Sequence, residues 1–278
     1  MMVFSVRNHR LFQADRQVDY RLTPNRTRRF TLKPEGIVVH DTAGRLDGES
    51  SVRWFLNPAA KASAHLVIDH DGGVVQMAPF NAKTWHAGRS TLNGRDGVNN
   101  FAIGIEIVNP GRLEPLGNGR YRAWFGEVYD DREYTIIEKS TPKHDFGGWM
   151  DYSSAQLAAV EAVCACLFAK YDLRWLWPHW KVSPGRKVDT NPLFPLFHLQ
   201  AKLTGRESDD GNDGIMLANT NQRRWPSYHD NVIQVLPKGA AVEVLRSGWY
   251  RNGDEHARWF LVSSGGHEGW VHGSLIEV

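Results

Sequence analysis

The chain has 278 residues, 41% hydrophobic and 23% charged, so it is long enough for one large domain or two small ones and for a substantial core. A formal net charge of +2 is too near balance for a nucleic-acid polyanion to be the partner. No run of eighteen apolar residues occurs, and the amino end shows no apolar stretch followed by a small-residue cleavage site. The expectation is therefore a protein cytoplasmic as synthesised, with no membrane partner.

Residues 1–35 are polar, arginine-rich around Asn25–Arg29 and weakly periodic, and read as a lead-in strap. Order begins at Gly36–Asp41, where Ile37, Val38 and Val39 form a short buried strand and His40 closes it as strand gives way to loop. A histidine there is either a hydrogen-bonded core residue or a ligand fixed by the strand beneath it. A short helix over Ser51–Leu56, a strand over Ala64–Asp69 and a tight Asp71–Gly73 turn into Val74–Gln76 follow. The loop Lys83–Gly88 sets Trp85 beside His86, a pairing that suits a ligand-binding wall or a packed corner.

Phe101–Val108 alternates an apolar face (Phe101, Ile103, Ile105, Ile107) with a face of Ala102, Gly104 and Glu106. A carboxylate inside so apolar a strand needs either a partner cation or a chemical purpose, because an unpaired buried charge costs several kcal/mol, on the order of 5 or more. The two small residues beside it leave room above the sheet for a ligand. Residues 109–151, rich in Gly, Tyr and charge, read as a long excursion holding one hairpin and flanking a substrate groove. Ser153 and Gln156 form a capping box for a core helix with Leu157, Val160, Cys164, Phe168 and Tyr171 at helical spacing. The only cysteines, Cys164 and Cys166, are two apart on that helix and cannot easily pair, so no disulfide framework is expected.

Trp177–Asp189 follows, a loop punctuated by Pro178, Pro184 and Gly185. It offers His179 and Asp189 as metal donors, with Lys187 sharing a face with Asp189 if residues 187–189 are extended. Together with His40 they could give the three-ligand open arrangement of a catalytic zinc, although composition alone does not select three groups from a chain with twelve histidines. Past Thr204, residues 206–214 read as a linker. Short strand signals then fill 215–278, with a Ser264–His267 hairpin turn, as in a compact β-barrel.

The ordered series Val38–Asp41, Ser63–Leu66, Asp71–Gly72 with Val75–Gln76, Trp85–Gly88, Ile103–Glu106, Pro178–His179 and Gly185–Asp189 resembles the zinc-dependent N-acetylmuramoyl-L-alanine amidases of type 2, particularly the anhydromuramyl-peptide branch. The resemblance implies an α/β fold with a mixed central β-sheet flanked by helices, forming a catalytic domain over 1–205. It also implies one Zn2+ per chain on His40, His179 and Asp189, with Glu106 handling the proton of the attacking water and Lys187 steadying the oxyanion. Some relatives carry a tyrosine where this chain has Ala64. The implied substrate is peptidoglycan or a muropeptide, cut between the muramyl lactyl group and L-alanine, with Asp41, Trp85, His86 and Asn100 as further substrate contacts. No obligate protein partner is implied. The tail, through Val232–Gly239, Val242–Leu245, Gly248–Tyr250 and Glu268–His272, resembles bacterial SH3-like domains, with their opening signature degraded to Leu217–Thr220. That pairing suits an endolysin-like enzyme reaching the wall by signal-independent release. The alternative from the same superfamily is a non-catalytic recognition protein, which usually lacks a metal ligand.

Overall fold

A computed structural model describes residues 2–204, 212–252 and 255–277. The chain divides into two compact units, the first ending at Thr204. Its centre is a six-stranded mixed sheet in the order Trp175–Pro178, Gly36–Asp41, Ala102–Ile107, Leu66–Ile68, Val74–Gln76, Asp19–Tyr20. The first four strands run parallel and Val74–Gln76 runs against its neighbour. Every residue of Gly36–Asp41 and of Ala102–Ile107 is buried, as expected of inner parallel strands covered on both faces.

The two faces do different work. Ile37, Val39, Ile103, Ile105 and Ile107 pack with Ala159, Val160, Val163, Cys164 and Leu167 of the helix Ser154–Tyr171. That helix is long and apolar enough to cross a membrane by length and composition, yet its apolar residues join this core. Ser153 Oγ accepts from Gln156 N at 3.0 Å, the first half of the capping box. Gln156 does not complete the second half; its Nε2 donates to the Val108 carbonyl at 2.8 Å. The opposite face buries Val38 and Ala102 with Ala87, Val98 and Val182, and His40 and Glu106 share it by the two-residue period of a strand.

Three expectations need correction. Residues 1–35 are more than a strap with little periodicity: Phe4–Arg7, Arg10–Gln13 and Arg16–Gln17 form a meander, Asp19–Tyr20 edges the central sheet and Arg26–Thr31 pairs with Ala82–Thr84. The 109–151 excursion is a five-stranded antiparallel sheet in the order Val128–Asp130, Arg120–Ala123, Arg112–Gly117, His144–Met150, Ile136–Thr141, with its own core of Leu113, Tyr121, Ala123, Tyr129, Ile136 and Met150. Trp175–Pro178 is an edge strand and His179–Val182 a single helical turn, so the loop begins later than its prolines suggest.

The second unit is an antiparallel seven-stranded sheet around Met216, Leu236, Val242, Val244, Phe260, Val262, Val271 and Ile276. Gly265 and Gly266, both at positive φ, turn the chain between Glu255–Ser264 and His267–His272, as a two-residue hairpin of the primed type requires. Of the expected linker, 206–211 lie outside the described residues, and Asn212–Gly214 belong to the strand Asn212–Met216.

Candidate metal centre

Strand register assembles the site. Glu106 lies directly beside His40, and Pro178 beside Val39, so His179 follows onto the same edge one residue later. All three strands end there, the carboxyl edge where parallel sheets place ligands. The loop after His179–Val182 returns Asp189, whose carbonyl accepts from Trp180 N at 2.9 Å. One donor atom each of His40, His179 and Asp189 then lies within 4.8 Å of the others. His40 Nδ1 is 2.9 Å from His179 Nδ1 and 3.2 Å from Asp189 Oδ2, and His179 Nδ1 is 3.0 Å from Asp189 Oδ2.

Proton assignment decides what that cluster can hold. His86 Nε2 faces the Ala102 carbonyl at 3.3 Å, an acceptor only, so the proton of His86 sits on Nε2 and its Nδ1 is a lone pair. His40 Nε2 faces that lone pair at 3.1 Å and therefore carries a proton. His179 Nε2 faces the Ala87 carbonyl at 3.2 Å, closer than the 3.4 Å approach of Arg186 Nη2, which itself donates to that carbonyl. Both Nδ1 atoms thus turn lone pairs toward each other and toward a carboxylate oxygen. Burial holds His40 down to about 4, so it takes no proton near neutrality. Three converging electron-pair donors with no shared proton fit a divalent cation, and two nitrogens with one oxygen suit zinc.

Glu106 lines the same cavity of about 380 Å³, as do Lys187, Trp85, His86 and Asp41. Its carboxylate makes no hydrogen bond or ion pair with any described residue. Burial, then the carboxylates of Asp189 and Asp41, push its pKa well above the usual range, against the pull of Lys187. Lys187 is exposed at the rim. The space above Gly104, expected for a ligand, is taken by His86: a Cβ on Gly104 would meet the His86 ring at 2.3 Å.

The remaining predicted contacts separate. Asp41 has both oxygens engaged, Oδ1 by Tyr152 Oη and Oδ2 by Asn191 N, each at 2.6 Å; burial raises its pKa to about 7. Trp85 is half-buried, with Nε1 donating to Thr27 Oγ1 at 3.0 Å. Asn100 is exposed on the turn Val98–Asn100 and outside the cavity lining. Its neighbour Asn99 instead accepts from His86 N at 3.2 Å and Ala87 N at 2.8 Å. Sequence reasoning missed Asn99, Tyr152, Asn191 and Arg186, which hold backbone and ligands in place. Arg186 lies inside the Gly185–Asp189 series and Asn99 beside Asn100, but nothing in the sequence marks Tyr152 or Asn191.

Residues 30–192, more than half of the chain, match the family model described as N-acetylmuramoyl-L-alanine amidase. The 1,6-anhydro-N-acetylmuramyl-L-alanine amidase AmpD of Escherichia coli (strain K12) is 49% identical over 137 residues, covering 48% of this chain and 54% of that protein. The AmpD of Citrobacter freundii is 27% identical over 146 residues, 52% of this chain and 58% of that protein. The chain spans less than two thirds of the length of these curated relatives. Among solved structures, the amidase AmiD from E. coli, in complex with the substrate anhydro-N-acetylmuramic acid-L-Ala-D-gamma-Glu-L-Lys, shares 21% identity over 70% of this chain and 64% of that one, with a TM-score of 0.45.

Proposed function

The chain belongs to the N-acetylmuramoyl-L-alanine amidase family, and from that membership we propose that it hydrolyses the amide joining the lactyl group of N-acetylmuramic acid, or its anhydro form, to L-alanine. The observation carrying this reading is the converging triad of unprotonated donors, buried His40 Nδ1 and His179 Nδ1 and half-buried Asp189 Oδ2, beside an unpartnered Glu106 in one cavity. His40, His179 and Asp189 would hold Zn2+, which supplies polarisation of the amide carbonyl and a lowered pKa for a water molecule.

Glu106 takes the proton from the attacking water and passes it to the departing nitrogen. Its raised proton affinity suits a group that must bind the proton in mid-reaction and release it afterwards. Lys187, at the rim of the same cavity, faces the negative charge that develops on the carbonyl oxygen. The carbon–nitrogen bond breaks, a carbon–oxygen bond forms, and the products are a lactyl carboxylate and a peptide with a free L-alanine amine. Asp41 acts as a clamp, its two oxygens tying Tyr152 to the backbone just after Asp189.

The second unit, whose one helical element among the described residues is the short turn Gly273–Leu275, is on this reading an SH3-like module that engages the cell wall. The muramyl product and the freed peptide are separated by mass spectrometry after incubation with purified muropeptides. Release of the whole stem from the sugar supports the reading, and an intact muropeptide with a metal-loaded protein rejects it.

A further inference from the structure

The antiparallel sheet of residues 112–150 presents Trp124, the most exposed tryptophan among the described residues at 78%. An aromatic ring so exposed is commonly mobile or covered, and this one is neither. Its Nε1 donates to the Ala43 carbonyl at 2.6 Å, and its edge meets Phe125 at a centroid distance of 5.7 Å and 86°. Arg45 lies over the far ring, 5.5 Å from the Phe125 centroid. The indole is thus fixed in place with its surface free, an arrangement that loses little conformational entropy when something lies on it.

Next to it is a cavity of about 360 Å³ lined by Arg112, Glu114, Arg122, Ala123, Trp124 and Gly126, within the usual range for small-molecule sites, roughly 300–1,000 Å³. Arg112 also lines the cavity of the metal cluster, so the two spaces share a wall. Arg122 is engaged by Glu114, Nε at 3.1 Å and Nη2 at 2.7 Å from the same oxygen, which leaves a planar polar surface with no net charge. Arg112 Nε donates to the Phe146 carbonyl at 2.8 Å, and its Nη groups bond to no described residue.

We propose that Trp124 with Arg112, Arg122 and Glu114 forms a subsite for a neutral pyranose, an N-acetylhexosamine ring of the glycan strand adjoining the muramyl unit whose amide reaches the metal cluster. The axial C–H bonds of such a ring carry partial positive charge and lie against the negative face of an indole. Its equatorial hydroxyls both donate and accept, and so use a guanidinium and a carboxylate side by side. A peptide stem bearing several carboxylates would instead call for unpaired cations, and only Arg112 offers one. The glycan identity of the ligand rests on the amide-hydrolysis reading; the sugar-binding geometry does not.

The test titrates the full-length zinc-loaded chain with a tetramer of N-acetylglucosamine by calorimetry, using wild type, Trp124→Ala and Trp124→Phe. Saturable binding is expected, weakened about tenfold or more in Trp124→Ala and kept within about threefold in Trp124→Phe, which retains the ring face. In parallel, the ratio of cleavage rate on peptide-bearing glycan strands to that on a single muramyl-peptide should fall about tenfold in Trp124→Ala. Absence of tetramer binding by wild type, or binding and rate ratio unchanged in Trp124→Ala, overturns the subsite while leaving amide cleavage standing. Tetramer binding that depends on Trp124, in a protein that cleaves neither substrate, upholds the subsite and removes the hydrolase reading.

Discussion

Two neighbouring regions of the first unit are built on opposite plans. At the carboxyl edge of the parallel strands most polar groups are buried and held by another, Glu106 excepted: His40 by His86, His86 by the Ala102 carbonyl, and Asp41 by Tyr152 and Asn191. In the adjoining antiparallel sheet the core is closed internally and the notable group, Trp124, faces outward. Bonds between the two include His144 Nε2 with the Thr190 carbonyl at 2.8 Å and Asn191 Nδ2 with the Met150 carbonyl at 2.9 Å. Chemistry on a cation needs donors fixed to a fraction of an ångström in a dry setting, whereas recognition of a polymer needs accessible surface. On the proposed reading one region supplies the first and the other the second.

That contrast breaks most sharply at Asp189. Asp189→Ala leaves two neutral imidazoles without the carboxylate, and the expected result is loss of bound zinc and of at least about a thousandfold in amide cleavage. Metal content measured beside turnover checks it. Glu106→Gln should separate the functions within the buried edge: zinc is retained, and the rate falls by roughly a hundred- to ten-thousandfold, the usual worth of a positioned acid–base group. A fully active Glu106→Gln would end the proton-transfer role.

The buried plan also has a pH signature. His65 Nδ1 accepts from Gly104 N at 3.0 Å and Thr84 Oγ1 at 3.1 Å, while Nε2 donates to the Ala82 carbonyl at 2.8 Å. Burial lowers its pKa from 6.5 to about 4, against the pull of the Ala82 carbonyl. Because the folded pKa lies below the unfolded one, the unfolded chain binds the extra proton first. This contribution is therefore complete above about pH 6.5 and is lost as pH falls toward 4, amounting to about 3 kcal/mol over the window. Denaturant unfolding of wild type and of a His65→Phe variant should show that slope in the first and a flatter one in the second. A smaller effect is expected at His86→Ala, which removes the acceptor that fixes the His40 tautomer. Zinc affinity should drop about ten- to a hundredfold, with partial recovery in His86→Gln, whose amide oxygen can again accept.

Much of the edge was legible in the sequence because its signals are local. The apolar runs around Val38 and Ile105 mark inner parallel strands, and a histidine or glutamate in such a run stands out against them. Tyr152 and Asn191 were not legible, because their roles arise from pairing across more than a hundred residues, with Asp41 as the common acceptor. The five-stranded sheet was missed for a different reason. Its strands are short, and glycines at 117, 119 and 126 take positive φ at the turns between them. Leu113, Tyr121, Ala123 and Tyr129 alternate with exposed residues over too few positions to declare a period by themselves. The lead-in failed similarly, since Asp19–Tyr20 becomes a strand only by pairing with Val75 and Gln76.

The central claim is that His40, His179 and Asp189 hold a cation on which amide cleavage depends. The most direct test strips the full-length protein of metal, returns zinc in measured fractions of one equivalent, and follows release of the L-alanine-terminated peptide from a purified muropeptide. The account predicts no cleavage without metal and a linear rise that levels off at one zinc per chain. Undiminished cleavage by the stripped protein, or a rise that Asp189→Ala reproduces, would contradict it.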